Sequence, residues 1–417
     1  RRKSNGLIFT IGLGFLLLGL TNSSFAATTQ VDALIEKLVE KGILDRKEAI
    51  SLKGEIVEDE KLRAEENIQQ ILPKWVMDTK LKGDFRVRYQ SEKKKTDNSN
   101  KERGRMRMRL GLESKVNDST KTYIGLATGS STDNRSTNQT FDDSFEKKSI
   151  WLDYAYAEHK ASPWATVMAG RMKNPMWQTG DALWDTDINP EGGAITLTKA
   201  VKPKVFDLFL TTAYLILEDS EDVTADSTMV AIQPGFSWNI NDKTKFKLAG
   251  TLYQSNSVEG HSALDHTKST NTISGGGLKY DYDPWVISSE ASFSDPKVIS
   301  KYIPYLAFFE DYFENPDPGN ENIGWIAGVK LGKKKISNWG DWQLKYQRRR
   351  IGRDAWLDTF PDSDAYGGAT NIKGDEYLLT IGLNKNMSLE FDYYMTDTIK
   401  GAHAKERLFQ TDLNFKF

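Results

Sequence analysis

From Thr79 onward the chain repeats with a period of two. In residues 80–90, Leu81, Phe85, Val87 and Tyr89 share one face with Gly83, while Lys82, Asp84, Arg86 and Arg88 share the other. The next segment sets Met106, Met108, Leu110 and Leu112 against Arg105, Arg107, Arg109 and Glu113. The same alternation returns in Ile150, Leu152, Tyr154, Tyr156, in Phe206, Leu208, Leu210, Tyr214, and in Tyr377, Leu379, Ile381, Leu383. Successive side chains of a strand point to opposite faces, so these segments predict strands that are greasy on one side only. No helical period separates them, which excludes a β-α-β arrangement. The expected fold is all-β, an antiparallel transmembrane barrel whose strands touch lipid outside and water inside.

Short turns such as Asn117-Asp118, Pro163, Pro203, Asn241-Asp242 and Asn384–Asn386 alternate with long polar connections at 92–102, 131–146, 174–192, 254–271 and 351–374. That asymmetry matches short periplasmic turns and long outer loops. Counting every alternating segment gives about seventeen strands. With both chain ends on one side the number must be even, so 272–283 extends an outer loop or joins the strand that begins at Trp285, leaving about sixteen.

The amino-terminal part reads differently. Arg1, Arg2 and Lys3 precede an apolar run from Leu7 to Leu20 and then small residues through Ala26, the order of a cleaved secretory signal peptide over 1–26. Residues 27–73 carry helical spacing: Val31, Leu34, Ile35, Leu38 and Val39, a break at Gly42, then a helix capped by Asp45 that runs through Ile50, Leu52, Ile56, Leu62 and Ile68 and ends at Pro73. This segment is expected to be periplasmic, either a solvated helix or one strand of a short coiled coil, although its apolar stripe keeps no clean heptad. The barrel is placed at 74–417. Its last strand, from Arg407, puts Phe409, Thr411, Leu413, Phe415 and Phe417 on one face, an ending that the barrel-assembly machinery is expected to read.

Composition hides such a barrel. Charged residues make up 27% of the chain and the mean hydropathy is −0.55, values that would suit a soluble protein. Only every second residue of a membrane strand must be apolar, so the average says little. The absence of cysteine excludes a disulfide framework and thiolate metal sites, and a net charge of −2 gives no reason to expect nucleic acid. Neither cofactor nor metal is expected.

Two charged features stand out. Arg103, Arg105, Arg107 and Arg109 share a face with Arg86 and Arg88 of the neighbouring strand, and a charge on the lipid face at mid-bilayer would cost roughly 2–4 kcal/mol. Arg86, Arg88, Arg105, Arg107 and Arg109 are therefore expected to line the lumen as a basic wall, and Met106, Met108, Leu110, Phe415 and Phe417 to face lipid. The wall either attracts anions or is neutralised by lumenal carboxylates. The connection after the fifth strand, 174–193, holds Asp181, Asp185, Asp187 and Glu191 and is long enough to fold inward as a constriction. Asp185, Asp187 and Asn189 also resemble the start of a calcium loop, but Pro190 stands where that loop needs glycine and Thr196 where it needs glutamate. The four histidines, His159, His261, His266 and His403, fall in turns and loops away from any hydrolase motif, so no enzyme is expected.

The stretches Gly170–Trp177 (GRMKNPMW), Leu183–Gly193 (LWDTDINPEGG), Asp354–Gly368 (DAWLDTFPDSDAYGG), Asn371–Gly374 and Leu38–Leu44 resemble the putative porin family of Gram-negative outer membranes. The resemblance implies an outer-membrane channel for small hydrophilic solutes or ions and names no particular solute. A barrel serving chiefly as an anchor, tethered to the periplasm through its helices, is the alternative. Outer-membrane lipid is an expected partner, and a homotrimer stays open.

Overall fold

The computed structural model describes residues 32–71, 74–94, 100–219, 226–262, 264, 266–297 and 299–417. The expected signal peptide, Pro73 and the tip of the 92–102 connection lie outside these residues. The chain divides into two compact units between Met77 and Asp78, four residues later than the boundary expected from the sequence. The difference arises because a short helix, Lys74–Met77, follows the long one before the first strand starts at Thr79.

In the first unit, residues 32–40 form helix α1 and Arg46–Ile71 form α2. Gly42 closes α1 in the left-handed region at φ 70°, which lets the Ile43 N–H reach the Leu38 carbonyl at 3.0 Å. Asp45 caps α2 in a reciprocal box: its Oδ1 accepts the N–H groups of Lys47 and Glu48, and Glu48 Oε2 accepts the Asp45 N–H at 2.9 Å. Ile35 and Ala49 are buried, and Lys53 pairs with Asp32 at 2.9 Å. Leu34, Ile43, Ile50 and Val57 stay exposed.

The second unit is a closed antiparallel barrel of sixteen strands, from Thr79–Lys94 to Glu406–Lys416; the second is Asn100–Lys115, the eighth Ser227–Asn241, the ninth Thr244–Asn256, the eleventh Tyr305–Glu314 and the thirteenth Trp342–Ile351. The first and last strands pair from Asp84↔Lys416 to Lys94↔Glu406, so the ring closes and leaves no free edge. Residues 272–283 stay out of the wall: Ile273–Ser274 and Gly277–Leu278 form a ladder with each other and with no wall strand, which removes the seventeenth segment. Register follows the alternation. Arg86 stands opposite Arg107 and Arg88 opposite Arg105, while Val87 faces Met106 and Phe85 faces Met108, keeping charges and apolar groups on separate faces. Leu81, Val87, Tyr89 and Leu252 are exposed on the outer face, whereas Arg86 and Arg88 are buried on the inner one.

The buried apolar cluster lies inside the ring, where the connections pack against inward residues of the wall such as Leu215, Phe313 and Ile326. Trp184, Trp356 and Phe360, all from connections, pack with Tyr253 of the ninth strand, the Trp184 and Phe360 rings stacking at 4.4 Å. Met172, Met176, Leu183 and Leu357 join them, fully or almost fully buried.

Candidate functional site

One connection holds the interior together. Residues 172–190, between the fifth strand Ala165–Arg171 and the sixth strand Glu191–Lys202, touch inward side chains on opposite parts of the ring. On one side Asp187 meets Arg109 of the second strand at 3.1 Å. Opposite, the Trp177 N–H donates to Gln233 of the eighth strand at 2.8 Å, and the N–H groups of Thr179 and Gly180 donate to Asp311 of the eleventh at 3.1 and 2.8 Å. Asp181 pairs with Arg349 of the thirteenth at 2.9 Å. A second connection, 352–371, locks onto the first: Trp356 Nε1 donates to the Leu183 carbonyl at 2.7 Å, and the Asp185 N–H donates to the Phe360 carbonyl at 2.7 Å.

The four acids singled out in the sequence do not act as one group. Asp187 alone reaches a wall arginine and also accepts from the Thr137 hydroxyl at 2.9 Å. Asp181 serves Arg349 instead, and Asp185 accepts the N–H groups of Asp187 and Ser363 at 2.9 Å each, a structural role. Glu191 stands apart: it is the first residue of the sixth strand, exposed, and paired with Arg171 at 2.7 Å. Alternation resuming at residue 191 takes that carboxylate out of the connection. Spacing along a loop reports how many carboxylates it holds, but their directions depend on where the chain turns.

The arginines are mostly matched. Asp412 of the last strand binds Arg88 at 2.7 Å and Arg86 at 3.2 Å, and Asp364 adds a contact to Arg88 at 3.1 Å. Asp84 bridges Arg107 and Arg109 at 2.8 Å each, and Arg103 meets Glu92 at 3.2 Å. Arg105 differs, since its partners are neutral: Gln90 Oε1 at 3.2 Å and Ser136 Oγ at 3.4 Å. Met106, Met108, Leu110 and Phe415 are half-buried on the opposite face, and Phe417 is exposed.

Around Arg349, sequence reasoning missed a charge cluster. Its guanidinium contacts Asp181, Asp362 at 3.0 Å and Glu376 at 2.6 Å, and Lys345 contacts Glu376 at 2.5 Å. The three carboxylates offer ligand atoms within 4.8 Å of one another, but a guanidinium and an ammonium already fill the place a cation would take. Three acids against two bases leave one carboxyl in excess. Burial and the neighbouring Asp181 push Asp362 up to about 8. Burial also raises Asp181, but Arg349 and Lys345 outweigh it and hold that carboxyl below its usual range. Burial raises Asp185 well above that range, with Asp362 and Asp187 adding to the effect. A signal existed in the run Arg348-Arg349-Arg350, whose middle member alone falls on the inward face.

A family model described as Putative porin matches residues 94–283 and 278–417. No curated protein gives a match. Among solved structures, OprB of Pseudomonas putida at high pH superposes with a TM-score of 0.53 at 10% identity, over 82% of this chain and 94% of that one. OmpF of Salmonella typhi in complex with daunomycin gives a TM-score of 0.48 at 11% identity, over 81% and 97%. The outer membrane channel DcaP of Acinetobacter baumannii gives 0.46 at 13% identity, over 81% and 97%. At such identities the likeness to the first is one of fold.

Proposed function

The chain belongs to the putative porin family, and from that premise we propose that it forms a water-filled outer-membrane pore through which small hydrophilic solutes or ions diffuse passively. The observation that carries this reading is the connection 172–190, tied to Arg109 on one side of the ring and to Gln233, Asp311 and Arg349 on the other. A chain segment spanning the interior narrows the passage and makes size the first filter. Arg86, Arg88, Arg105, Arg107 and Arg109 then line the lumen as its basic wall. Asp187 is the member of the constriction loop that faces them. Met106, Met108, Leu110, Phe415 and Phe417 contact lipid, where apolar groups are cheap and charges are not.

Liposome swelling with uncharged sugars of increasing size tests the reading. Proteoliposomes should swell with the smallest sugars and lose the response as size grows. Swelling no faster than protein-free vesicles for every sugar contradicts a diffusion pore.

A tethering role for the helical segment is the second reading, favoured by the exposed Leu34, Ile43, Ile50 and Val57. Deleting residues 31–72 behind the signal peptide should leave a heat-modifiable barrel while removing a periplasmic contact or weakening the oligomer. Loss of membrane insertion in that deletion would make the helices part of the fold instead.

A further inference from the structure

Within the basic wall, charge matching fails at one place. Arg86 and Arg88 share Asp412 and Asp364, Arg107 and Arg109 share Asp84 and Asp187, and Arg103 and Lys94 share Glu92 and Glu406. Arg105 sits among them with only an amide oxygen and a hydroxyl. Its buried Nε–H has no acceptor, so this guanidinium carries unmet donor capacity as well as unmet charge.

The space beside it is shaped to receive something. A cavity of about 230 Å³ opens there toward the rim that carries the long connections, lined by Gln90, Lys101, Arg105, Asp133, Ser136 and Lys268 among others. Lys101 and Lys268 are exposed, and among the described residues neither has an ion-pair partner. Glu92, Glu406 and Asp364 also border the cavity, but each is held by Arg103, Lys94 or Arg88. Asp133 remains, its Oδ1 accepting the Arg135 N–H at 3.1 Å. Three cations therefore face one carboxylate across a small half-open volume, where low-dielectric walls strengthen the field.

We propose that this cavity binds a small oxyanion, a species with one or two carboxylate or phosphate groups, as a docking point in the mouth of the barrel. A guanidinium offers a planar fork that matches two oxygens of such a group, a bidentate ion pair where Arg105 now donates only to uncharged oxygens. Lys101 and Lys268 supply point charges from the second strand and from a separate connection. Ser136, whose oxygen accepts from Arg105 and Asn138, has its hydroxyl hydrogen left to donate, which suits an oxyanion better than chloride. The proposal rests on the channel reading only for what happens to the anion after docking.

The test is calorimetric titration of the full chain in detergent at low ionic strength, with succinate in one arm and inorganic phosphate in the other. Saturable binding is expected in at least one arm, and the tighter arm identifies the preferred headgroup. Affinity should fall at least tenfold in Arg105→Gln and several-fold in Lys268→Gln. It should stay unchanged in Lys199→Gln, an exposed position in the sixth strand, and it should weaken as salt is added. If Arg105→Gln loses its heat-modifiable form, Lys268→Gln, which lies in a connection, decides. No saturable heat with either ion overturns the proposal, as does wild-type affinity in both variants. Planar-bilayer recording of the same samples separates the two claims: binding without conductance refutes the channel alone, and conductance without binding refutes the docking site alone.

Discussion

The barrel wall and the connections inside it use the same residue types in opposite ways. Leu81 and Leu252 of the wall are 62% and 60% exposed, turned away from the interior, while Trp184 and Trp356 of the connections are 2% and 0% exposed at its centre. A wall strand in the proposed pore turns its apolar face toward lipid and can leave large side chains uncovered by protein. A connection inside the ring finds no lipid, so it must cover its aromatics with other connections and satisfy its backbone from inward side chains such as Gln233 and Asp311. The wall is therefore a repeating surface and the interior a packed, specific core.

The strongest way to break this contrast is to empty the interior core. Trp356→Ala removes a fully buried indole and its hydrogen bond to Leu183, and should destabilise the two locked connections by roughly 3–5 kcal/mol. Limited proteolysis should then cut within 352–371 while the barrel keeps its heat-modifiable gel shift. Leu252→Ala on the outer face should leave that cleavage pattern untouched. Equal protease resistance in Trp356→Ala and wild type would mean the connections do not depend on their core.

Arg349→Gln attacks the charges beneath that core. It leaves Asp181, Asp362 and Glu376 with Lys345 as the remaining base, a loss of about 3–5 kcal/mol for breaking a buried ionic group. Thermal melting followed by loop proteolysis should show connections opening well below the barrel's own transition. A single unshifted transition would show that the cluster does not hold the connection.

A smaller effect follows from pH. The Asp362 carboxyl sits at about 8 in the folded protein against an ordinary 3.8, so the folded state keeps a proton that the unfolded chain releases. The stabilisation is complete below about pH 4 and is lost as pH rises through 8. Hydrogen exchange in 352–371 should therefore speed up between pH 6 and 9 beyond the intrinsic rate, and Asp362→Asn should flatten the trend. A rise of equal size in Asp362→Asn would place the titration elsewhere.

The wall itself can be probed with no large change in stability. The chain has no cysteine of its own, so single replacements report directly. A membrane-impermeant thiol reagent should label Arg107→Cys and Arg109→Cys and spare Met106→Cys and Met108→Cys in vesicles. The reverse pattern would invert the register.

These two regions were also unequally legible. Period two carried the wall, because every strand repeats the same choice between lipid and interior: the antiparallel architecture could be read from Met106 alternating with Arg107 well before any pairing was known. The interior connections have no period. Asp181, Asp185, Asp187 and Glu191 looked alike in the chain, yet they meet an arginine of the thirteenth strand, two backbone amides, a wall arginine and a neighbouring strand end, respectively. The partners of Asp181 and Asp187 lie far away in sequence, as do Arg88 and Asp412, which only the closing register of the ring brings together. Trp356 and Asp362 lay within 351–374, read as a long polar connection and for its family resemblance, since nothing local marks a tryptophan for burial inside a barrel rather than for its rim.

Single-channel recording in a planar bilayer bears most directly on the central claim, that a water-filled passage runs through the ring and is narrowed by the segment anchored across it. The full chain should give discrete open steps, and a variant with residues 176–188 replaced by a short glycine-serine link should give steps several-fold larger with weaker discrimination between ions. A silent wild-type barrel, or a shortened variant whose steps match the parent's, would contradict the account.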